Sequence, residues 1–363
     1  MKKYIYIVKI VSILMLFSKS LYSFAGNEDR VGSAGASQLM VNPWCRSSAL
    51  GDANVASSMG LEASFTNIAG LAQTDKTQLK FNFTNWLGSA GIPFSSAGIA
   101  QRISSSSVIA LSVQSMSFGD IMITTTDNPE GGIGNFSPKM SVINAGFAKA
   151  FTTSISGGFN FKVLNESISN LGSTGIAIDA GIKYVTGKLD RMKMGITLKN
   201  IGAPMSMSGD GLGTQVTVNK NGTTLTTYQG SQKYELPSMM SMGVSYDFIN
   251  DTLANNKLTG AFAFTANSFS RDQYRFGLDY LFNTGIAAFN VRAGYVYEKN
   301  ITTAENRTNA LTGLTAGMSV DFISRRITPE GIKKESAIGV EYAVRMSNPF
   351  GLIHSFGVAI SLK

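Results

Sequence analysis

From Thr77 onward the chain alternates. Hydrophobic and polar residues exchange places at every second position, in segment after segment, with turn-forming residues between them. The stretch Tyr274 to Phe282 shows the pattern plainly. Tyr274, Phe276, Leu278, Tyr280 and Phe282 occupy one face of an extended segment, and Arg275, Gly277 and Asp279 the other. A period of two is the signature of a strand whose faces meet different surroundings. The same period predicts strands over Gln78 to Leu87, Phe94 to Ile103, Val108 to Met122, Lys139 to Phe151, Ile155 to Leu164, Gly175 to Val185 and Arg191 to Asn200. It continues over Met239 to Phe248, Leu258 to Ser268, Ile286 to Glu298, Leu311 to Ile323, Ala337 to Met346 and His354 to Leu362.

That makes about 14 strands, most near the ~9–11 residues that cross a bilayer at a tilt. Charged residues recur on the less greasy face: Asp179, Lys183, Lys193, Arg275, Asp279, Arg292, Glu298, Glu341 and Arg345. A soluble sandwich tolerates such a face only as its wet surface, and then needs another layer to bury every greasy one. The sequence offers no helices for that layer. A closed barrel in lipid needs none, because the bilayer is the apolar phase and closure satisfies every strand edge. The reading is an all-β, closed antiparallel transmembrane β-barrel. Its aromatic stripes face lipid, and Asp179, Lys183, Arg275, Asp279, Arg292, Glu298, Glu341 and Arg345 form a luminal charged network with pairing expected around the wall.

Connection lengths supply a second test. Bacterial barrels have short periplasmic turns and long outer loops. With strand one running outward, the long connections fall outside: "TTTDNPEGGIGN" from Thr124, the stretch Ala203 to Lys233, and "NITTAENRTN" from Asn300. The tight ones, "TTS", "TGKLD" and "NTG", fall on the periplasmic side. The exception is "SRRITPEGIKKE", Ser324 to Glu335, a long basic connection that is either a helix contacting a partner or a solvated loop.

Composition agrees with a barrel. Charged residues make up 15% of the 363, against ~25% in a typical soluble domain. Glycine is frequent, at 38, and no mature segment has the ~18 uninterrupted apolar residues of a membrane helix. Lys2 and Lys3, the apolar run Ile5 to Phe17 and small residues at Ser23 and Ala25 read as an export signal over 1–25. This leaves 26–76 as an N-terminal segment and 77–363 as the barrel. The net charge of +8 is spread along the chain, with no basic patch for nucleic acid. Cys45 has no second thiol, and His354 is the lone histidine, expected in an interfacial or packed role. No phosphate loop, nucleophile elbow, metal constellation or catalytic acid pair is present, so no enzyme activity and no cofactor are expected.

The residues before the first strand do not alternate. "GASQLMV" (Gly35 to Val41), "RSSALGDANVA" (Arg46 to Ala56) and "NIAGLA" (Asn67 to Ala72) resemble the N-terminal signature of the PorV/PorQ family, relatives of the FadL channel of outer membranes. The motif positions are Arg46, Gly51, Asn67 and Gly70; Ile68 stands where the family usually has Pro. The stretches "SFGDIMITTTDNPEGGIGNFSP" and "LKNIGAPMSMSGDGL" resemble the family as well. The resemblance implies a fourteen-stranded barrel in the outer membrane with its N-terminal segment folded into the lumen. It also implies a non-enzymatic role in type IX secretion and surface attachment, binding secretion and attachment proteins and the C-terminal domains of cargo. Outer-loop residues Asp127, Asn128, Pro129, Asp210, Asn219 and Tyr228 are the candidate partner contacts. The alternative is a FadL-like channel for hydrophobic small molecules. That needs an apolar pocket near the N-terminal segment and an opening in the wall, for which Pro93 and Gly119 are the candidate interruptions.

Overall fold

The computed structural model describes residues 26–217, 224–251, 256–303, 307–327 and 333–362; the expected export signal, Asn219 and the tip of the basic connection lie outside them. Fourteen strands close into one antiparallel barrel in chain order. They are β1 (Thr77–Trp86), β2 (Ile92–Arg102), β3 (Ser107–Ser117), β4 (Lys139–Ala150), β5 (Ile155–Ile168), β6 (Leu171–Thr186) and β7 (Met192–Gly202). The second half holds β8 (Met239–Asp251), β9 (Asn256–Asn267), β10 (Gln273–Asn283), β11 (Ala287–Glu298), β12 (Gly313–Ile327), β13 (Lys333–Ser347) and β14 (Gly351–Leu362). β14 returns to β1 with Thr77 opposite Leu362 and Asn85 opposite His354, so no edge is left in the wall.

Alternation sets the faces as the sequence requires. Phe81, Phe159, Ile196, Phe276, Val291 and Phe356 stand exposed on the outer surface, while Lys80, Asn160, Lys183, Arg292 and Glu341 are buried inside. This inverts a soluble protein, and only lipid can solvate such a belt. His354 lies on the outer face near the outer rim, with its Nδ1 2.8 Å from the Tyr342 hydroxyl. Among the described residues no helix is long and apolar enough to cross a membrane; the strands do the crossing.

Three expectations change. The third strand stops at Ser117 rather than Met122, and Ile121–Met122 pairs with Asn135–Phe136 in a small hairpin outside the barrel. Pro93 sits opposite Asn85 in an unbroken β1–β2 register and ends the β2–β3 ladder, which stops at Phe94 opposite Met116, so it interrupts pairing only at the very end of the strand, and Gly119 lies beyond the strand. The basic connection is not a helix at either end: β12 and β13 pair on past the barrel, with Arg325 opposite Glu335 and Ile327 opposite Lys333.

Residues 26–76 fill the lumen. The segment starts at the outer end, where Arg30 pairs with Glu235 at 2.5 Å and Ala34 bridges Glu235. It descends through the short helix Cys45–Ala49 and the single-turn helices Gly60–Ser64 and Ile68–Gln73 to join β1 at the periplasmic end. Its residues are almost all buried from Gln38 to Ala72, and its small side chains permit that crowding.

Candidate functional site

The plug is seated against glycines. Each of nine strands turns a glycine inward where the plug passes, and a side chain there would collide with it. A Cβ on Gly98 would lie 2.9 Å from Leu61, on Gly146 3.0 Å from Ile68, and on Gly243 2.8 Å from Val55. On Gly277 it would lie 3.2 Å from Ala53, on Gly294 2.7 Å from the Leu50 carbonyl, and on Gly317 2.6 Å from Ala49. Gly181, Gly195 and Gly357 complete the set against Asn67, Val55 and Cys45. Real Cβ atoms essentially never approach within 3.0 Å, and at the 3.0 to 3.3 Å of Gly146, Gly277 and Gly357 the plug would have to give, so these positions read as a socket moulded to the plug.

Charges clamp the plug above and below that socket. Asp52 receives Arg345 at 3.1 Å and Arg275 at 3.4 Å, and Asn42 bonds its other oxygen. Arg46 reaches Asp279 at 2.9 Å, which also meets Arg292 at 3.2 Å. Glu62 is bound by Lys80, which spans to Glu341 at 3.0 Å. The wall charges therefore pair with the plug as much as with one another. Asp179 pairs with Lys162 at 2.6 Å. Lys183 donates to the Ser58 carbonyl at 3.0 Å and to Gln73 at 2.6 Å, and Glu298 accepts from Gln273 at 3.2 Å and from the Thr308 N–H at 3.0 Å. Sequence reasoning found the wall half of this network and missed Asp52, Glu62, Lys80 and Lys162.

The motif positions have local work. Gly51 turns the chain at φ +60°, where L residues are rare. The Asn67 side chain accepts from the Ala69 N–H at 3.2 Å as a cap, and donates to Val55 at 3.0 Å and to the wall carbonyl of Ile182 at 3.1 Å. A Cβ on Gly70 would lie 3.0 Å from Ala63 and collide with the Ser58 carbonyl.

Below the plug a polar vestibule of about 670 Å³ opens to the periplasmic end, lined by Arg46, Glu62, Lys80, Asp279, Arg292 and Glu341 among others. An apolar solute taking that route would strip water from ionic groups, which is costly. The outer candidates Asp127, Asn128 and Pro129 lie exposed in the Phe118 to Pro138 loop, and Asp210 opens an exposed turn. Tyr228, 67% exposed, ends the hairpin Gly213–Thr217/Thr224–Tyr228, in which every residue is exposed.

The wall opens elsewhere. β7 pairs with β8 only as far as Lys199 opposite Met239, while Ile201 and Gly202 remain bonded to β6 alone. A bulge causes the parting. The β6–β7 register shifts between Ile178 and Ala180, and Asn200 adopts φ +60°. A buried polar knot fixes it: the Asn200 N–H donates to Asp179 at 2.8 Å, Lys162 donates to the Asn200 side-chain oxygen at 2.8 Å, and Asn200 Nδ2 donates to the Pro237 carbonyl at 3.0 Å. Bulges bend strands and end pairing, and Pro237 has no N–H to offer a ladder. The result is a notch of about 380 Å³ at the outer rim. Leu198, Ile201, Pro204, Leu236, Met240 and Ala266 line it with Asn200 and Asn267. Leu198 and Ile201 are exposed on the lipid side, and Leu236 packs behind onto Leu39 and Ala36 of the plug with Met205 and Tyr234. The Tyr234 hydroxyl donates to Glu166 at 2.7 Å, and burial beside that carboxylate pushes its pKa up to about 12, so it stays a donor.

Solved structures share this architecture. Two variants of TodX, described as a monoaromatic hydrocarbon channel, superpose with TM-score 0.51. The deltaS2S3 mutant is 9% identical, over 88% of this chain and 97% of that one. The deltaS2 mutant is 10% identical, over 88% and 98%. A FadL homologue of Pseudomonas aeruginosa aligns at TM-score 0.49 and 13% identity, over 87% and 96%. No protein-family model and no curated protein matches the chain. At such identities the agreement is one of fold: a closed, fourteen-stranded barrel of the outer-membrane type.

Proposed function

We propose that the protein is an outer-membrane channel for small hydrophobic molecules, which exchange through the notch between β7, β8 and β9 rather than down the lumen. The observation that carries this reading is the notch itself, open on its lipid side. Its volume falls within the ~300–1,000 Å³ of small-molecule sites, and its lining sets Leu198, Ile201, Leu236 and Met240 beside the polar Asn200, Asn267, Ser238, Ser268 and Glu235. The seated plug and the ionic vestibule argue against the axial route. The TodX channels, which share the fold, are described as monoaromatic hydrocarbon channels, and a ligand of that class fits the notch in size and meets its apolar side at Leu198, Ile201, Leu236 and Met240. The test is uptake of a labelled monoaromatic hydrocarbon by a deletion strain complemented with the wild-type chain or with Ala266→Trp, which fills the notch from the lipid side. Uptake restored by the wild type and lost in the variant supports the channel; unchanged uptake in the deletion strain removes it.

A role in type IX secretion, implied by the PorV/PorQ resemblance, makes a different demand: a protein-binding surface outside the membrane. The fully exposed hairpin Gly213–Thr217/Thr224–Tyr228 favours it, since a lone two-stranded ribbon is marginal in water without a partner. The surface and secreted protein profile of the deletion strain separates the readings. Normal uptake with lost secretion supports the scaffold; an unchanged profile and an empty pull-down of translocon and cargo proteins end it.

A further inference from the structure

On the outer side of the plug, Met40, Asp52, Phe65, Lys199, Arg275 and Arg345 enclose a small chamber. Its charges do not balance. Three cationic side chains face one carboxylate, because Asp52 alone serves both Arg275 and Arg345. Lys199 is only 5% exposed, and its Nζ lies 3.8 Å from the centroid of the Phe65 ring. No acceptor or carboxylate among the described residues takes that ammonium; Asp179, the acid across the β6–β7 bulge from it, is held by Lys162 at 2.6 Å. The Nε atoms of Arg275 and Arg345 are buried and also lack acceptors. A ring face attracts a desolvated cation by about 2 kcal/mol. Burying an ion costs several kcal/mol, so the ring does not replace a counter-charge.

We propose that this chamber binds one small monovalent anion of halide size, held by the wall cations Lys199, Arg275 and Arg345 beside Asp52 of the plug. The space open to the centre of a water-sized sphere is about 10 Å³, room for a single small occupant and too little for an organic acid. The occupant would offset the surplus charge of these wall cations, for which Asp52 is the one carboxylate lining the chamber and Gln273 and the Leu311 carbonyl are neutral acceptors.

The test uses the full chain purified in detergent, at constant ionic strength, with sodium gluconate exchanged stepwise for sodium chloride or bromide. Thermal unfolding is followed by the loss of the folded barrel's altered gel mobility. The wild type is expected to gain several degrees in Tm with saturation, equally in chloride and bromide, and Lys199→Met to lose most of that response. Line broadening of the chloride-35 resonance by the wild type, relieved by bromide, gives a second readout should the variant fail to fold. The proposal is overturned by equal Tm in gluconate and chloride, by a rise without saturation, by a response undiminished in Lys199→Met, or by acetate stabilising where halides do not.

Discussion

The centre of the barrel and its outer rim between β7 and β9 are built from the same strands, yet one is sealed and the other parted. At the centre, inward glycines such as Gly243, Gly277 and Gly294 remove side chains so that plug backbone and wall nearly touch. At the rim, Asn200 and Pro237 remove ladder hydrogen bonds, and a void is left where side chains do not meet. Deleting a side chain closes a gap when a second surface is waiting to fill it. Deleting a backbone bond opens one when nothing is. The contrast is physical: the socket brings the wall onto the plug, and the notch leaves a space open at the rim.

The largest effect should come from breaking the clamp over the socket. Asp52→Ala leaves Arg275 and Arg345 buried together without their carboxylate, and removing one partner of a buried ionic group costs about 3–5 kcal/mol. Urea unfolding in detergent should show a fall of that size, with the plug becoming open to protease before the barrel unfolds. A loss below about 1 kcal/mol, the value of an exposed pair, would mean that the clamp is solvated. Next comes the socket. Gly294→Leu forces a side chain into the Leu50 carbonyl and should cost about 1–3 kcal/mol, as overpacking does. Ala293→Leu, one residue away on the lipid face, should stay within about 0.5 kcal/mol. Equal effects at the two positions would remove the socket from the account.

How much of this could be read beforehand follows from the kind of interaction. Strand number, facing and the charged luminal wall were legible because each rests on a period of two repeated along the chain. Arg275 and Asp279 announce their side of β10 by what flanks them. The glycine socket was legible in principle. Gly243, Gly277, Gly294 and Gly317 all fall mid-strand on the polar face, but only alignment of the strands by height brings them into one ring. Asp52 and Glu62 were hidden because they sit singly among small residues in a segment without periodicity, and their partners are up to 293 positions away. The notch was misplaced for a physical reason. Pro93 and Gly119 look like interruptions, yet Pro93 keeps register at a strand's end and Gly119 lies outside the ladder. The real break depends on a bulge at Asn200 held by Lys162, Asp179 and Pro237, a contact among four elements that no local pattern encodes.

The smallest change in stability should accompany the sharpest test of function. Ala266 lies half-buried at the outer end of β9, opposite Met240, and lines the notch from the lipid side. Ala266→Trp adds an indole where membrane interfaces favour one, and touches neither the socket nor the clamp. Unfolding should therefore shift by no more than about 0.5 kcal/mol. Hydrocarbon uptake, by contrast, should drop towards that of the deletion strain, while Ala293→Trp, on the lipid face of β11 away from the notch, leaves it unchanged. If both variants transport normally, the parted rim is no entrance, and the sealed centre would have to open after all. If both fail alike, a tryptophan on the outer face disturbs the barrel generally, and the separation between socket and notch drawn above loses its functional meaning.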